Sequence, residues 1–486
     1  MRNRGLLLIT VLLLLMVVSG CGSQKKSDVN LDDDMTQTVE IVMANPTDAQ
    51  KDYDMVIAEV NKYLKQKLNC TLKIAFQPMY DEKMRALVLS GEPVDLCFTS
   101  SWLFDYRQNV VQGTLLPLDE LLVKYGPEVV KAIDPRALEG ARIGGKVYAV
   151  PVNSVLARQM GYAFNDSIVG KYRFDYAGVQ QIGDLVPLLE LIKRDFGNKY
   201  IMIRRSHWNN LQDKYDFILN STLPGAVKIN SGDYKVIDQY EDQEYINHLK
   251  QIRNLNILGL ADNSMGKDSE DSAFDSGTVA CQVFEYEPGA VEAWQRNKPF
   301  HISYIMASKP PIMNNSAVMQ AMTAITVNSK HPARAMKVLN LLYSDPYLLN
   351  LLVWGIEGVH YKKLDGNRIE LLPARNGKHW EMPNGDFGNR FLTYIPNDQP
   401  ANLWEETKKF NASAKPSPVL GFSFDRESVK NELAALENIC QEYKAIKEGR
   451  KDPSELPEFV AKMKAVGMDK VLKEMQKQLD DWRAKR

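Results

Sequence analysis

Three short β-type runs separated by two helical runs set the tightest limit on what this chain can fold into. Thr38 to Ala44 alternates in polarity and is rich in β-formers, Thr71 to Gln77 repeats that character, and Val94-Asp-Leu-Cys-Phe-Thr99 makes a third strand. Between the first two, Tyr53, Val56, Ile57, Val60, Leu64 and Leu68 recur at helical spacing. Between the second and third, Asp81 to Leu89 is a shorter helix stopped by Gly91 and Pro93. Strand, helix, strand, helix, strand implies a mainly parallel sheet, because parallel neighbours need a crossover and the crossover is usually a helix. Sheets of this kind bind ligands beyond the carboxyl ends of their strands. Trp102, in Ser100-Ser101-Trp102 at the end of the third strand, is therefore a candidate contact residue.

A glycine turn then separates this unit from a second one. Gly144 and Gly145 permit a tight turn, Lys146 to Val150 is a short apolar run ending at Pro151, and Met160 to Phe164 is strand-like again. The stretch Gly144–Asn165 reads as a crossing between two lobes, with Asn153 within it, just after the run that ends at Pro151. A helical run over Ile182 to Phe196, a strand at Tyr200 to Ile203, a helix over Asp242 to Leu255 and a strand at Thr278 to Phe284 build the second unit. Ala321 to Val327 is a β-like run back to the first lobe, followed by helices over Ala333 to Tyr343 and Tyr347 to Val353. Gly355-Ile-Glu-Gly358 reads as a further crossing. The tail holds three helical patterns, ending in Asp469 to Trp482. Periodicity alone thus gives an α/β chain with a helical tail.

The amino terminus carries Arg2 and Arg4 before an apolar run from Leu6 to Val18, and Ser19-Gly20 precede Cys21. That order resembles a bacterial lipoprotein signal, with residues 1–20 removed and a diacylglyceryl group on Cys21. Two acyl chains would hold the protein to a membrane where one would not. Gly22 to Gln37 is polar, with Lys25-Lys26 and Asp32-Asp33-Asp34, and reads as a solvated tether over 21–37. Without residues 1–20 the chain holds 58 basic and 61 acidic residues, a net charge of −3. No basic excess points to nucleic acid. Cys70, Cys97, Cys281 and Cys440 show no CxxC spacing, and buried free thiols are the expected state, with a Cys70–Cys97 disulfide as the alternative. The six histidines are scattered, so neither metal nor cofactor is expected.

Three blocks, in order, resemble the family 1 extracellular solute-binding proteins of carbohydrate ABC importers. The first is Leu115-Leu-Pro-Leu-Asp-Glu-Leu-Leu122 followed by Gly145-Lys-Val-Tyr-Ala-Val-Pro151. The second is Asn328-Ser-Lys-His-Pro332 with Gly355-Ile-Glu-Gly-Val-His-Tyr361. The third, Val419-Leu-Gly-Phe-Ser-Phe-Asp425 with Asp452-Pro-Ser-Glu-Leu-Pro-Glu-Phe459 and Gln476-Lys-Gln-Leu-Asp-Asp-Trp482, is similar to the additional C-terminal module (DUF3502-like) of a Gram-positive branch. The resemblance implies a two-lobed clamshell of the periplasmic-binding-protein type II, with lobe one over 38–152 plus 320–356 and lobe two over 153–319 plus 357–486, the helical module being 425–486. It implies a monomer outside the cell, capture of a sugar or oligosaccharide between the lobes, delivery to separate permease subunits, and no covalent chemistry. The chain carries no P-loop and no GxSxG, so an ATPase would be another protein.

Sugar rings stack their C–H faces on indoles and give their hydroxyls to amides and carboxylates. Trp102, Trp208 and Trp354 are the aromatic candidates, and Asn153, Glu285 and Glu357 the polar ones, with Tyr286 beside Glu285 at a strand end. Trp102 and Trp354 could equally be core, Trp208 reads more readily as core than as a contact, and Glu357 could equally bond loop amides between Gly355 and Gly358. Trp294, Trp380, Trp404 and Trp482 sit in helical or surface-loop patterns and read as packing residues. Two further readings stay open. Glu285 with Glu357 could serve a secreted glycoside hydrolase, and the same clamshell could receive a peptide or a lipid-linked precursor.

Overall fold

The computed structural model describes residues 33–199, 201–203, 211–262, 274–296, 298–307, 309–375, 378–383 and 385–486, with only the backbone described at 201–203 and 262. The chain divides after Asp34, and the architecture below is that of Met35–Arg486. The signal-like segment, Cys21 and most of the tether lie outside the described residues.

The first sheet has the order Cys70–Phe76, Val39–Asn45, Leu96–Thr99, Met322–Ile325, Ala149–Pro151. Its first three strands are parallel, as the strand–helix alternation requires. The crossover helix Tyr53–Leu68 turns Val56, Ile57, Val60 and Leu64 inward and ends at Asn69 in the left-handed region, while Tyr80–Ser90 ends at Gly91 with φ 77°. The other two strands come from far along the chain. Met322–Ile325 runs antiparallel to both Leu96–Thr99 and Ala149–Pro151, so the sheet is mixed. Gly144 and Gly145, at φ 58° and 80°, turn a small hairpin between Arg142–Ile143 and Lys146–Val147.

The second sheet has the order Ala261–Asp262, Ile201–Ile203, Val279–Tyr286, Gln159–Asn165, Ile302–Met306. The chain passes between the sheets from Pro151 to Gln159 and again from Ile302–Met306 to Met322–Ile325. A third passage is made by Lys415–Pro416, which pairs in parallel with Ile312–Met313. The Gly355–Gly358 turn, expected to cross, instead folds back. Gly355 has φ 80° and its missing Cβ would stand 2.5 Å from His360 Nδ1. His360 Nε2 lies 3.1 Å from Asp52, the residue just before the helix Tyr53–Leu68, and Trp380 is fully buried with its indole donating to Leu352 O. The segment after Gly355 therefore packs on the first sheet's helices. A side chain at Gly355 would collide with this seam.

The tail is not an appendage. Helices Lys430–Glu442, Leu456–Ala465 and Met468–Arg483 share one buried core with Tyr215, Leu223, Val227, Tyr240, Tyr245 and Leu249 of the middle of the chain. The four described cysteines are buried and none is in a disulfide, and burial pushes the Cys97 thiol up to about 12, which disfavours the thiolate. No disulfide joins Cys70 to Cys97.

Beside the tail core, Asp238 caps a short turn by accepting from Tyr240 N at 3.1 Å, while its Oδ2 is buried without a partner. Burial pushes its carboxyl up to about 7. The folded protein thus keeps a proton that the unfolded chain has lost, so this group makes stability fall as pH rises from about 4 to about 7. Asp238→Asn retains the cap but leaves an N–H to be satisfied, so we expect a gain of only about 1–2 kcal/mol at pH 8. Melting of the two proteins at pH 5 and pH 8 checks this. The variant's advantage should be present at pH 8 and absent at pH 5, and an equal difference at both would refute it.

Candidate functional site

The carboxyl ends of the two sheets face a cavity of about 650 Å³. Trp102 lines it from the loop after Leu96–Thr99, and Glu285 lines it from the end of Val279–Tyr286. Ser100 sets the loop by accepting from the backbone N–H groups of Trp102 and Leu103 on its Oγ. Trp102 Nε1 donates to Gln320 O at 2.8 Å and the ring meets Phe98 edge-on at 6.0 Å. The indole is thereby fixed, yet 66% of the residue is exposed. A large aromatic held rigid and left open has the geometry to serve as a stacking platform.

Opposite stands an ion pair. Arg158 Nη1 donates to Glu285 Oε2 at 3.0 Å, with the two side chains 13% and 35% exposed. The backbone of Arg158 exchanges two hydrogen bonds with Ile312, which places it on the first passage. Asp216 and Arg107 also line the cavity. Burial pushes the Asp216 carboxyl up to about 6, against a hydrogen bond with Ser417 and the charge of Arg107. Burial likewise lowers the Arg107 guanidinium. Arg426, from the turn before the tail helices, reaches the same space. One aromatic face ringed by fixed hydrogen-bonding groups suits a polyhydroxylated ligand better than an apolar one.

A second cavity of about 740 Å³ contains Glu287, two residues beyond Glu285, together with Trp354, Arg375, Arg390 and Trp404. Trp354 ends the helix Pro346–Trp354, is 6% exposed, and has the Arg375 guanidinium 5.1 Å from its ring centre. Burial lowers Arg375 to about 10. Trp404, read from the sequence as packing, is buried but contributes to this wall, its indole donating to Thr393 O at 2.8 Å.

Of the residues singled out from the sequence, the structure brings Trp102 and Glu285 together and places Trp354 in the neighbouring cavity. Asn153 lines neither. It is 5% exposed, and its amide donates to Ala132 O and Asn389 Oδ1 at 2.9 and 3.0 Å, so it ties the first passage to the packing beneath it. Glu357 is exposed and paired with Lys363 at 3.2 Å, so Glu285 and Glu357 do not share a cavity. Tyr286 packs between Tyr304 and Phe410, both at 5.8 Å, and lines neither cavity. Trp208 lies outside the described residues. Sequence reading passed over Arg107, Arg158, Asp216 and Arg426. Arg158 did leave a signal, being the lone charge in the apolar run Val155–Phe164. Among the described residues no group of three metal-ligating side chains occurs, and no helix is long and apolar enough to cross a membrane.

Residues 44–348 match the model of the bacterial extracellular solute-binding proteins, and residues 418–484 match a domain of unknown function, DUF3502. The chain is 31% identical over 456 residues, covering 90% of it and 89% of the relative, to a carbohydrate ABC transporter substrate-binding protein of Streptococcus pneumoniae. Among solved structures it is similar to the N-glycan transport solute-binding protein NgtS of that organism, at 30% identity and a TM-score of 0.81, covering 92% of this chain and 98% of that one. The TM-scores against the NgtS complexes with Man1GlcNAc and Man5GlcNAc are 0.75 and 0.73. A solute-binding protein of Bifidobacterium longum infantis shares the fold at 16% identity and a TM-score of 0.63, covering 93% of this chain and 99% of that one. With its solute-binding match running from residue 44 to residue 348, two sheets facing one cleft, and a tail module folded into the same core, this chain belongs to the bacterial extracellular solute-binding protein family.

Proposed function

We propose that the protein captures an oligosaccharide of neutral hexoses between two lobes and hands it to an ABC importer. The observation that carries this reading is Trp102, fixed by Gln320 yet 66% exposed, facing the Arg158–Glu285 pair across one cavity. The kinship with NgtS, solved with Man1GlcNAc and Man5GlcNAc, supports mannose-containing oligosaccharides as the first ligands to try. The cleft runs over Trp102 and Glu285, with Trp354 at a neighbouring subsite. The protein does no chemistry on the sugar, and the dispersal of Glu285 and Glu357 supports that. Lobe one takes residues 38–152 and 320–356, as the sequence suggested. The bonds from Asp52 to His360 and His379 support adding 357–413 to it. Lobe two then holds 153–319 and 417–486, in keeping with the shared core. Lipid on Cys21 anchors the protein, a monomer, to the outer face of the cell membrane.

A ligand touching both lobes stabilises the closed arrangement over the open one. The higher TM-score against the NgtS structure named without a sugar than against either complex fits an open arrangement here. Calorimetry of the chain from residue 35 onward with Man5GlcNAc should show saturable binding, and small-angle scattering should show a smaller radius of gyration with ligand. No binding across a panel of neutral oligosaccharides, or release of free sugar during the titration, would overturn the proposal.

A further inference from the structure

Two charged groups in the wall of the 650 Å³ cavity come from opposite sides of the cleft and do not pair. Arg107 lies on the helix Tyr106–Val111, beyond the first sheet. Asp216 lies in the strand Tyr215–Phe217, which pairs with Ala226–Lys228 and belongs to the half of the molecule that carries the tail. Arg107 already reaches over, since its Nη1 donates to Ile218 O at 3.5 Å. Its Nε is buried and has no hydrogen-bond partner. Asp216 is 4% exposed, and its Oδ2 is also buried and without a partner. Among the described residues no ion pair within 4.0 Å joins the two.

Both residues line one space, and although Asp216 bonds Ser417 and Arg107 bonds Ile218 O, each keeps a buried polar atom without a partner, so the pair calls for something that satisfies a further donor and a further acceptor. A ligand carboxylate would be repelled by Asp216 and leave it unpaired, and a ligand ammonium would be repelled by Arg107. A neutral pair of adjacent hydroxyls fits both groups, one donating to the carboxylate and its neighbour accepting from the guanidinium. Resting on the oligosaccharide reading above, we propose that Arg107 and Asp216 together read a vicinal diol of one neutral hexose, the ring whose apolar face lies on Trp102. The pair is then a specificity determinant that selects hexoses with two adjacent free hydroxyls. Because its halves sit on opposite sides of the cleft, the same sugar ring draws those sides together.

The test is calorimetry with Man5GlcNAc on wild type, Asp216→Asn and Arg107→Lys, with circular dichroism confirming that each variant is folded. Both variants are near-isosteric or keep their charge, and each should bind between tenfold and a hundredfold more weakly. A Man5GlcNAc analogue lacking one hydroxyl of the diol should lose a similar factor on wild type and lose nothing further on Asp216→Asn. Variants within twofold of wild type would show that a water alone fills the gap and would overturn the inference while leaving the capture of oligosaccharide intact. Preference for an acidic oligosaccharide over Man5GlcNAc would overturn it too. Failure of wild type to bind any neutral oligosaccharide would instead sink the reading on which it rests.

Discussion

Replacing Phe459 by alanine is expected to destabilise the protein by about 3–5 kcal/mol, read as a lower denaturation midpoint. Phe459 is 2% exposed. Its ring stacks on Tyr443 at 4.5 Å and meets Tyr240 edge-on at 4.9 Å. Tyr443 belongs to the tail, whereas Tyr240 lies some two hundred residues earlier, so the ring is the hinge-pin of the seam between them. Losing it removes the buried area of a large aromatic and leaves a cavity in the core that it shares with Leu456, Met463 and Leu436, which close-packed neighbours fill only in part. The loss should appear in a single transition shared by tail and middle. A change below about 1 kcal/mol, or a separate early transition, would show that residues 418–484 fold apart from the solute-binding match.

Trp102→Ala is expected to weaken oligosaccharide binding by about tenfold to a hundredfold while leaving the fold intact. The residue is mostly outside the core, so its removal exposes little, but its ring is held in one orientation by Gln320 O before any ligand arrives. Binding to a rigid platform avoids the cost of immobilising a side chain, and a central aromatic of this kind commonly contributes about 2 kcal/mol. Trp102→Phe keeps a stacking face but loses the Gln320 bond that orients it, so its affinity should fall between those of alanine and wild type. Calorimetry with Man5GlcNAc separates the three. Equal affinities would remove Trp102 from the site.

Which parts of this were legible beforehand depends on the range of the interaction. The helix Tyr53–Leu68 is encoded in its own spacing of apolar residues, and the turn at Gly144-Gly145 in the conformational freedom of two glycines. Trp102 could be placed from local order alone, because the carboxyl end of a parallel strand is where a cleft opens. Asn153 was singled out by its place at the crossing between lobes, and it lines neither cavity. Its amide is taken up by Ala132 and by Asn389, a residue 236 positions away that no local pattern announces. The fold-back at Gly355 is similar, since it depends on His360 meeting Asp52 across 308 residues.

By itself the sequence determined the strand and helix alternation, the glycine turn and the place of Trp102 at a strand end, because each follows from spacing within a few turns of chain, and three blocks of residues in order carried the resemblance to the family. Only the tertiary structure decided that Arg158 meets Glu285, that Arg107 and Asp216 face one cavity unpaired, and that the tail completes the core around Tyr240. Those arrangements bring together residues more than a hundred positions apart. Side chains so distant are brought together by the packing of sheets and helices around them, and nothing in their immediate neighbours records it.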